Sequence, residues 1–211
     1  MRWSQVDEKT WIGDSESPAH ELASRIRSAQ LPEIADVVSA YHKIAITFDS
    51  AAPELDWLVQ KFENLPEVTA NSKTHRIPVC YEMGADIDSV CGRLEITLSQ
   101  LIAFHSGVPY EVVAIGFVPG FPYLGYLPAE ISGLPRLPSP RTRVEPGSVG
   151  ITGNQSGIYP SASPGGWNLI GRTPLVIVDV SSGYFPIQAG DKVQFDPISA
   201  AEFEELSGER L

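Results

Sequence analysis

Between Gly116 and Pro174 the chain carries eleven of its 18 glycines and ten of its 18 prolines. Helices do not survive that density. Proline lacks an N–H and clashes with the preceding turn, and glycine costs backbone entropy without packing anything. The interval is expected to fold as short β-segments such as "SVGIT" between tight turns, the composition of a barrel with elaborate loops. "YEVVAIGFV" reads as an apolar strand entering this region, and "LVIVDV" and "KVQF" as strands beyond it. Two helices are expected upstream, near Ile87 to Arg93 and Leu98 to His105, with Gly107 ending the second. A last short helix is expected from Ser199, where Ser199 and Glu202 have capping-box spacing.

The first 70 or so residues carry a different pattern. "KIAITFD" alternates Ile44, Ile46 and Phe48 with polar or small neighbours, the period of a half-buried strand. "EIADVVSAY" is its expected partner, with a tight reversal at Ala40 to Lys43. Short strands near residues 2–6 and 10–13 precede a helix in "SPAHELASRIRSA", where Ser17 reads as the N-cap and Pro18 as the first helical residue. "PELDWLVQKF" places Leu55, Leu58, Val59 and Phe62 at helical spacing. The order is ββαββα, two helices on one face of a sheet. "NLPEVTANSKTH", residues 64–75, is polar and aperiodic, and reads as a connector. The expectation is an α+β domain over residues 1–75 and a β-barrel domain over 76–211 that restarts with the strand "RIPVCY".

Composition limits the function classes. The chain has 211 residues, 43% of them apolar and 19% charged, enough to bury a core. No apolar run follows the opening "MRWSQVDEKTWIGDS", and no stretch reaches the roughly 18 apolar residues of a membrane span. A cytoplasmic protein without a signal peptide is therefore expected. Cys80 and Cys91 match no metal or redox spacing, which fits a reducing compartment. The glycosylation-like "NQS" at Asn154 to Ser156 then reads as an accident. A net charge of −11 argues against nucleic acid. Locally the sign reverses. From Gly116 to Val178, Arg136, Arg141, Arg143 and Arg172 face only Glu130 and Glu145, a pointer to an anionic ligand.

There is no nucleophile elbow, P-loop, dinucleotide fingerprint or paired-histidine metal motif. His20, His42, His75 and His105 are scattered and read as structural, His105 through a favourable helix C-terminus. "GFVPGFPYLGYLP", Gly116 to Pro128, uses rigid Pro and Gly turns to present Phe121, Tyr123 and Tyr126. Two readings stay open: an aromatic plug at one end of the barrel, or the wall of a binding groove. Arg141 and Arg143 share a face if the segment is extended. Either Glu145 or a carboxylate or phosphate ligand separates their charges, and Arg172 joins them if the loops converge.

"GFVPGFPYLGYLP", "PRTRVEPGSVGITGNQSGIYP" and "SPGGWNLIGRTP" resemble the signature segments of one bacterial family. It comprises the B subunit of the ATP-dependent 5-oxoprolinase, also called allophanate hydrolase subunit 1, and the sporulation kinase inhibitor KipI. The resemblance covers nearly the whole chain and is strongest from Gly116 to Pro174. It is weaker between "CYEMG" and Tyr110, and "SGYFPIQAGDKVQF" departs from the pattern. It implies a small α+β N-terminal domain and a cyclophilin-like β-barrel C-terminal domain.

What the resemblance implies for function is a component that works with a larger C-type subunit and a third, ring-opening subunit. Together they open 5-oxo-L-proline to L-glutamate with ATP as co-substrate and no bound prosthetic group or metal. Arg141, Arg143 and Arg172 are the implied catalytic groups. Pro119, Gly120, Phe121, Tyr123, Gln155, Tyr159, Pro164, Gly165, Gly166, Trp167 and Thr173 are the implied groove for substrate or partner. Within it, Gly165 and Gly166 are expected to turn sharply beside the ligand while Trp167 anchors the loop. The lone chain is expected to be inactive. The alternative is a non-enzymatic inhibitor of a sensor histidine kinase. Prolyl isomerisation has only fold analogy behind it.

Overall fold

The structure is a computed structural model that describes residues 1–66 and 72–211. The chain forms two compact units, Met1–Ser72 and Lys73–Leu211. Of the connector expected over residues 64–75, residues 67–71 lie outside the described residues. Its last two residues, Thr74 and His75, belong instead to a strand of the second unit.

The first unit runs β1 (Arg2–Gln5), β2 (Thr10–Asp14), α1 (His20–Ser28), β3 (Ile34–Ala40), β4 (Lys43–Phe48) and α2 (Leu55–Glu63). The strands pair antiparallel in the order β1-β2-β4-β3. Ile44, Ile46 and Phe48 of β4 are buried, and with Val37 they meet Ala23 and Ile26 of α1 and Leu58 and Phe62 of α2 in one core. The helix start differs from expectation. Neither Ser17 nor Pro18 opens α1; Ala19 is the N-cap and no side chain caps it. The β3–β4 turn is the cause. The Ser15 N–H donates to the His42 carbonyl and the Ala19 N–H to the Tyr41 carbonyl, both at 2.8 Å, so residues 15–19 are tied to that turn before helix can begin.

The second unit contains β5 (Thr74–Val79), α3 (Ile87–Leu94), α4 (Leu98–Ser106), β6 (Tyr110–Ile115), β7 (Pro122–Gly125), β8 (Arg141–Val144), β9 (Ser148–Thr152), β10 (Gln155–Ile158), β11 (Ser163–Gly165), β12 (Asn168–Arg172), β13 (Lys192–Pro197) and α5 (Ala200–Glu205). One ladder runs β5-β13-β6-β7-β10-β9-β12, antiparallel except for the parallel β5–β13 pair. This is not the closed sheet that a barrel implies. The end strands β5 and β12 share no ladder and are joined by a single isolated bridge between Cys80 and Arg172. A separate two-stranded ribbon, β8–β11, completes the β structure.

"LVIVDV" forms no strand. Its residues make only isolated bridges, Val176 to Arg210 and Asp179 to Tyr184. Pro174 enters the segment, and Asp179 accepts from Ser181 and Ser182 in a tight loop, so alternation of apolar residues is overruled by turn chemistry. The ladder's interior is aliphatic, with Ile77, Val112, Leu124, Val149, Ile158 and Ile170 fully buried. α4 carries a complete capping box from Thr97 and Gln100, and α5 one from Ser199 and Glu202.

Candidate functional site

The glycine- and proline-rich segments meet around β7, β10, β12 and the β8–β11 ribbon. "YEVVAIGFV" ends as a strand at Ile115, because the chain then folds into a compact turn. The Gly116 N–H donates to the Phe121 carbonyl at 3.1 Å, and Phe117 takes a left-handed φ of 66°. Gly120 closes this turn with φ 74°, and an added Cβ would lie 2.3 Å from Val178. Only glycine fits there.

Phe121 is not presented to solvent. It is buried with Val144, Tyr159, Trp167 and Leu169 in a satellite cluster against which Tyr123 packs. Its ring meets those of Tyr123, Tyr159 and Trp167 edge-on at centroid distances of 4.9, 5.2 and 5.5 Å. Such edge-to-face contacts add to the gain from area burial alone. Phe121, Tyr159 and Trp167 therefore form the plug. Among the aromatics nearby, Phe117 at 59%, Tyr126 at 58% and Phe185 at 41% are exposed. Pro119 and Pro164 are exposed and Gln155, Gly165 and Gly166 half-buried. Thr173 is buried, with its hydroxyl accepting from the Leu175 N–H.

The two glycines of "SPGGW" do different things, and neither has a positive φ. At Gly165 a Cβ would sit 2.5 Å from the Tyr159 hydroxyl oxygen, so this glycine is required by close packing of backbone on a ring. At Gly166 the nearest atoms would be Pro140 carbons at 3.6 Å, an ordinary contact. The sharp turn expected at both positions is absent because Gly165 ends β11, in extended register with Arg141.

The arginines are separated by one irregularity. β11 pairs Ser163 with Val144 but Gly165 with Arg141, so β8 carries an extra residue between those two pairings. A β-bulge breaks the period-two alternation. Arg141 thereby shares a face with inward Val144, while Arg143 points outward. Arg141 Nη2 donates to Asp86 Oδ1 at 2.5 Å with 28% of its side chain exposed. Arg143, 65% exposed, donates through Nε to Glu145 Oε1 at 2.7 Å. Glu145, the intramolecular partner considered for the pair, thus takes only Arg143. That hydrogen bond holds the Glu145 carboxyl below its ordinary range, with a smaller pull from Arg172. Arg172 itself donates to the Pro146 carbonyl at 2.9 Å and lies over the Phe203 ring. Arg143 and Arg172 therefore neighbour Glu145, and Arg141 belongs to a different cluster.

That cluster contains groups that no motif marked. Asp86 accepts from Arg141 and from the Leu169 N–H at 2.7 Å. Arg93 donates to Asn168 at 3.2 Å. Burial raises the Tyr159 hydroxyl's pKa, while a bond from the Trp167 N–H and the charges of Arg136 and Arg141 pull it back. Asp86 lies 55 residues from Arg141 and 83 from Leu169, so nothing local in the sequence announces either contact. The only legible signal was an Asp ahead of a helix.

His105 is structural, for a reason other than the one expected. It is fully buried, hydrogen-bonded through Nδ1 to the Tyr81 hydroxyl at 2.8 Å and through Nε2 to Ser156 at 2.9 Å. Burial pushes its pKa down to about 3, so it is neutral and has no charge to offer a helix dipole. Among the described residues no group of three or more His, Cys, Asp or Glu could hold a metal ion, and no helix is long and apolar enough to cross a membrane.

Comparison with known proteins supplies the context for this geometry. Residues 6–184 match the family model of the carboxyltransferase domain, subdomain C and D. The chain is 32% identical over 202 residues to the 5-oxoprolinase B subunit of Bacillus subtilis, covering 87% of this chain and 84% of that one. It is 40% identical over 181 residues to the protein of the same name from Haemophilus influenzae, covering 82% and 83%. Among solved structures it resembles TTHA0988, with a TM-score of 0.81 and 34% identity over 91% of this chain, and it spans 40% of that longer chain. The urea carboxylase of Kluyveromyces lactis shares the fold, with a TM-score of 0.68 at 19% identity over 97% of this chain and 22% of that one. The chain belongs to the carboxyltransferase domain, subdomain C and D family, together with the 5-oxoprolinase B subunits.

Proposed function

We propose that this chain is the B-type subunit of an ATP-dependent 5-oxoprolinase. It would open 5-oxo-L-proline to L-glutamate in the cytoplasm, together with a larger C-like subunit and a third, ring-opening subunit. The observation that carries this reading is identity of 32% and 40% to relatives named as 5-oxoprolinase B subunits, extending over more than four fifths of each relative. On the same reading, the Lys73–Leu211 ladder is the counterpart of a cyclophilin-like barrel, left open between β5 and β12 except at the Cys80–Arg172 bridge.

A lactam amide is a poor electrophile, and ATP supplies the reaction with a phosphoryl group that turns its carbonyl oxygen into a leaving group. Among the described residues, the three arginines expected to be catalytic do not fit a triphosphate site. Arg141 and Arg143 each face a carboxylate, and Arg172 is engaged by a backbone carbonyl and an aromatic ring. We assign the nucleotide to the partner subunits. The part left to this chain is to bind and orient the anionic lactam beside Arg141 and Tyr159. Oriented charge of this kind is typically the largest catalytic contribution of a protein environment.

The exposed edge at Phe117 and Phe185 favours a second reading, in which the chain only docks on a protein such as a sensor histidine kinase. Phe185 adjoins Gly120, and a Cβ there would meet it at 3.2 Å, so both rings border one turn.

The test is reconstitution. The purified chain is expected to be inactive, and its mixture with the larger subunits to form glutamate only when ATP is present. Arg141→Ala is expected to lower that rate by about tenfold or more, whereas Arg143→Ala leaves it near wild type. Turnover by the chain alone refutes the subunit reading, and an inert mixture refutes the enzyme reading. A mixture indifferent to Arg141→Ala refutes the placement of the site.

A further inference from the structure

Asp86 stands outside every sequence motif, yet three elements meet on it. It is the N-cap residue of α3, but its side chain makes no capping bond to that helix. One of its oxygens accepts from Arg141 Nη2 and the other from the Leu169 N–H, and its own N–H donates to the Leu169 carbonyl at 2.9 Å. An N-cap Asp ordinarily spends its oxygen on the first free N–H groups of the helix. Here both oxygens are diverted to β8 and β12.

The diversion leaves Arg141 half satisfied. A guanidinium offers five N–H donors in a planar fork, and a carboxylate facing it squarely takes two of them. Asp86 gives it a single oxygen, because Leu169 holds the second. Arg141 Nη1 is buried and has no partner among the described residues. The side chain as a whole keeps 28% of its exposure, so the group is anchored at one nitrogen without being sealed from solvent along its length. A buried unpaired donor on a fixed cation is an energetic deficit that an incoming oxygen acceptor removes. Tyr159 lies in the positive field of Arg136 and Arg141, with its hydroxyl against Gly165. Two cations thus stand near the Tyr159 ring, one of them already faced by Asp86.

We infer that Asp86 is a positioning residue, holding Arg141 so that its unspent donors receive the carboxylate of the lactam substrate. The identity of that carboxylate rests on the 5-oxoprolinase reading. The geometry of the pair does not.

Asp86→Asn is the informative change. Its amide oxygen can still accept from the Leu169 N–H, but the charge facing Arg141 is gone. On the isolated chain, side-chain NMR reports whether the guanidinium is held. Wild type is expected to show resolved, slowly exchanging Arg141 Nη signals, and Asp86→Asn averaged ones, with similar melting temperatures. Asp86→Glu keeps the charge and is expected to recover part of the splitting; it also carries the comparison if the Asn variant folds poorly. In the reconstituted complex, Asp86→Asn is expected to raise KM for 5-oxoproline by about tenfold with a smaller change in kcat, the pattern of lost binding. Arg141→Lys should do the same, and the double variant should lose little more, because the two residues act as one unit. Unaltered Arg141 signals in Asp86→Asn, or additive losses in the double variant, overturn the positioning role. An inactive wild-type complex refutes the 5-oxoprolinase reading instead, and the NMR comparison still decides whether Asp86 holds Arg141.

Discussion

The interior of the Lys73–Leu211 ladder and the aromatic cluster beneath the β8–β11 ribbon both bury polar side chains, but they satisfy them differently. Inside the ladder, Tyr81, His105 and Ser156 form a closed relay. If the Tyr81 hydroxyl donates to Nδ1 and Nε2–H donates to Ser156, the Ser156 hydroxyl remains free to donate to the Gly150 carbonyl at 3.4 Å. Every proton then has an acceptor. In the ribbon, by contrast, Arg141 Nη1 and Ser163 Oγ are buried without partners among the described residues. A satisfied network rigidifies a core, whereas a buried donor without a partner is a deficit that a bound acceptor would remove. On the proposed function, the first cluster serves stability and the second recognition.

The sharpest challenge to that division is Trp167, which lies in the ribbon cluster but is 5% exposed and packed on Phe121 and Tyr123. Trp167→Ala is expected to cost about 3–5 kcal/mol of folding stability, as truncated buried aromatics do. Urea denaturation measures it. A loss well under about 1 kcal/mol would mean that the aromatic plug is not structural and that the ribbon cluster serves recognition alone.

The closed relay has a pH signature. His105 titrates near pH 3 when folded and near 6.5 when unfolded. Between those values the unfolded chain binds the extra proton, so stability is highest above about pH 6.5 and falls as pH drops toward 3. The slope approaches about 1.4 kcal/mol per pH unit. Between about pH 7 and pH 4.5, His105→Gln should therefore lose about 2–3 kcal/mol less than wild type. Equal losses in the two proteins would show that His105 is not the neutral centre of the core.

The smallest effects come from the adjacent glycines. Gly165→Ala forces a Cβ against the Tyr159 ring and is expected to cost about 1–3 kcal/mol, the scale of local overpacking. Gly166→Ala meets only ordinary contacts and should fall within about 0.5 kcal/mol of wild type. Thermal melts of the two variants side by side suffice. If Gly166→Ala were the more damaging, the ribbon's backbone would not lie as described.

How much of this was legible follows from what each signal depends on. The alternation in "KIAITFD" located β4 correctly because its ladder with β2 is unbroken and the irregularity on its other side lies in β3, so the pleat of β4 itself keeps its period. The same logic failed at "RTRV", where one extra residue in β8 turned Arg141 inward and left Arg143 outside. It failed again at "LVIVDV", where an apolar alternation met a loop built by Asp179. The capping box at Ser199 was legible because its atoms are three residues apart. Asp86 was not, since its partners are brought to it only by folding.

By itself, then, the sequence determined the family, the β-rich character of the Gly- and Pro-dense interval, and the helices whose apolar spacing and caps are local. These depend on backbone preferences and on side chains a few positions apart, and such interactions are written in linear order. Tertiary structure alone decided which arginine faces inward, which of two neighbouring glycines is closely packed, and which carboxylate pairs with Arg141. Each of those depends on a bulge or a packing contact between segments tens of residues apart, where a shift of one residue reverses the face and a carboxylate finds its cation only after the chain has folded.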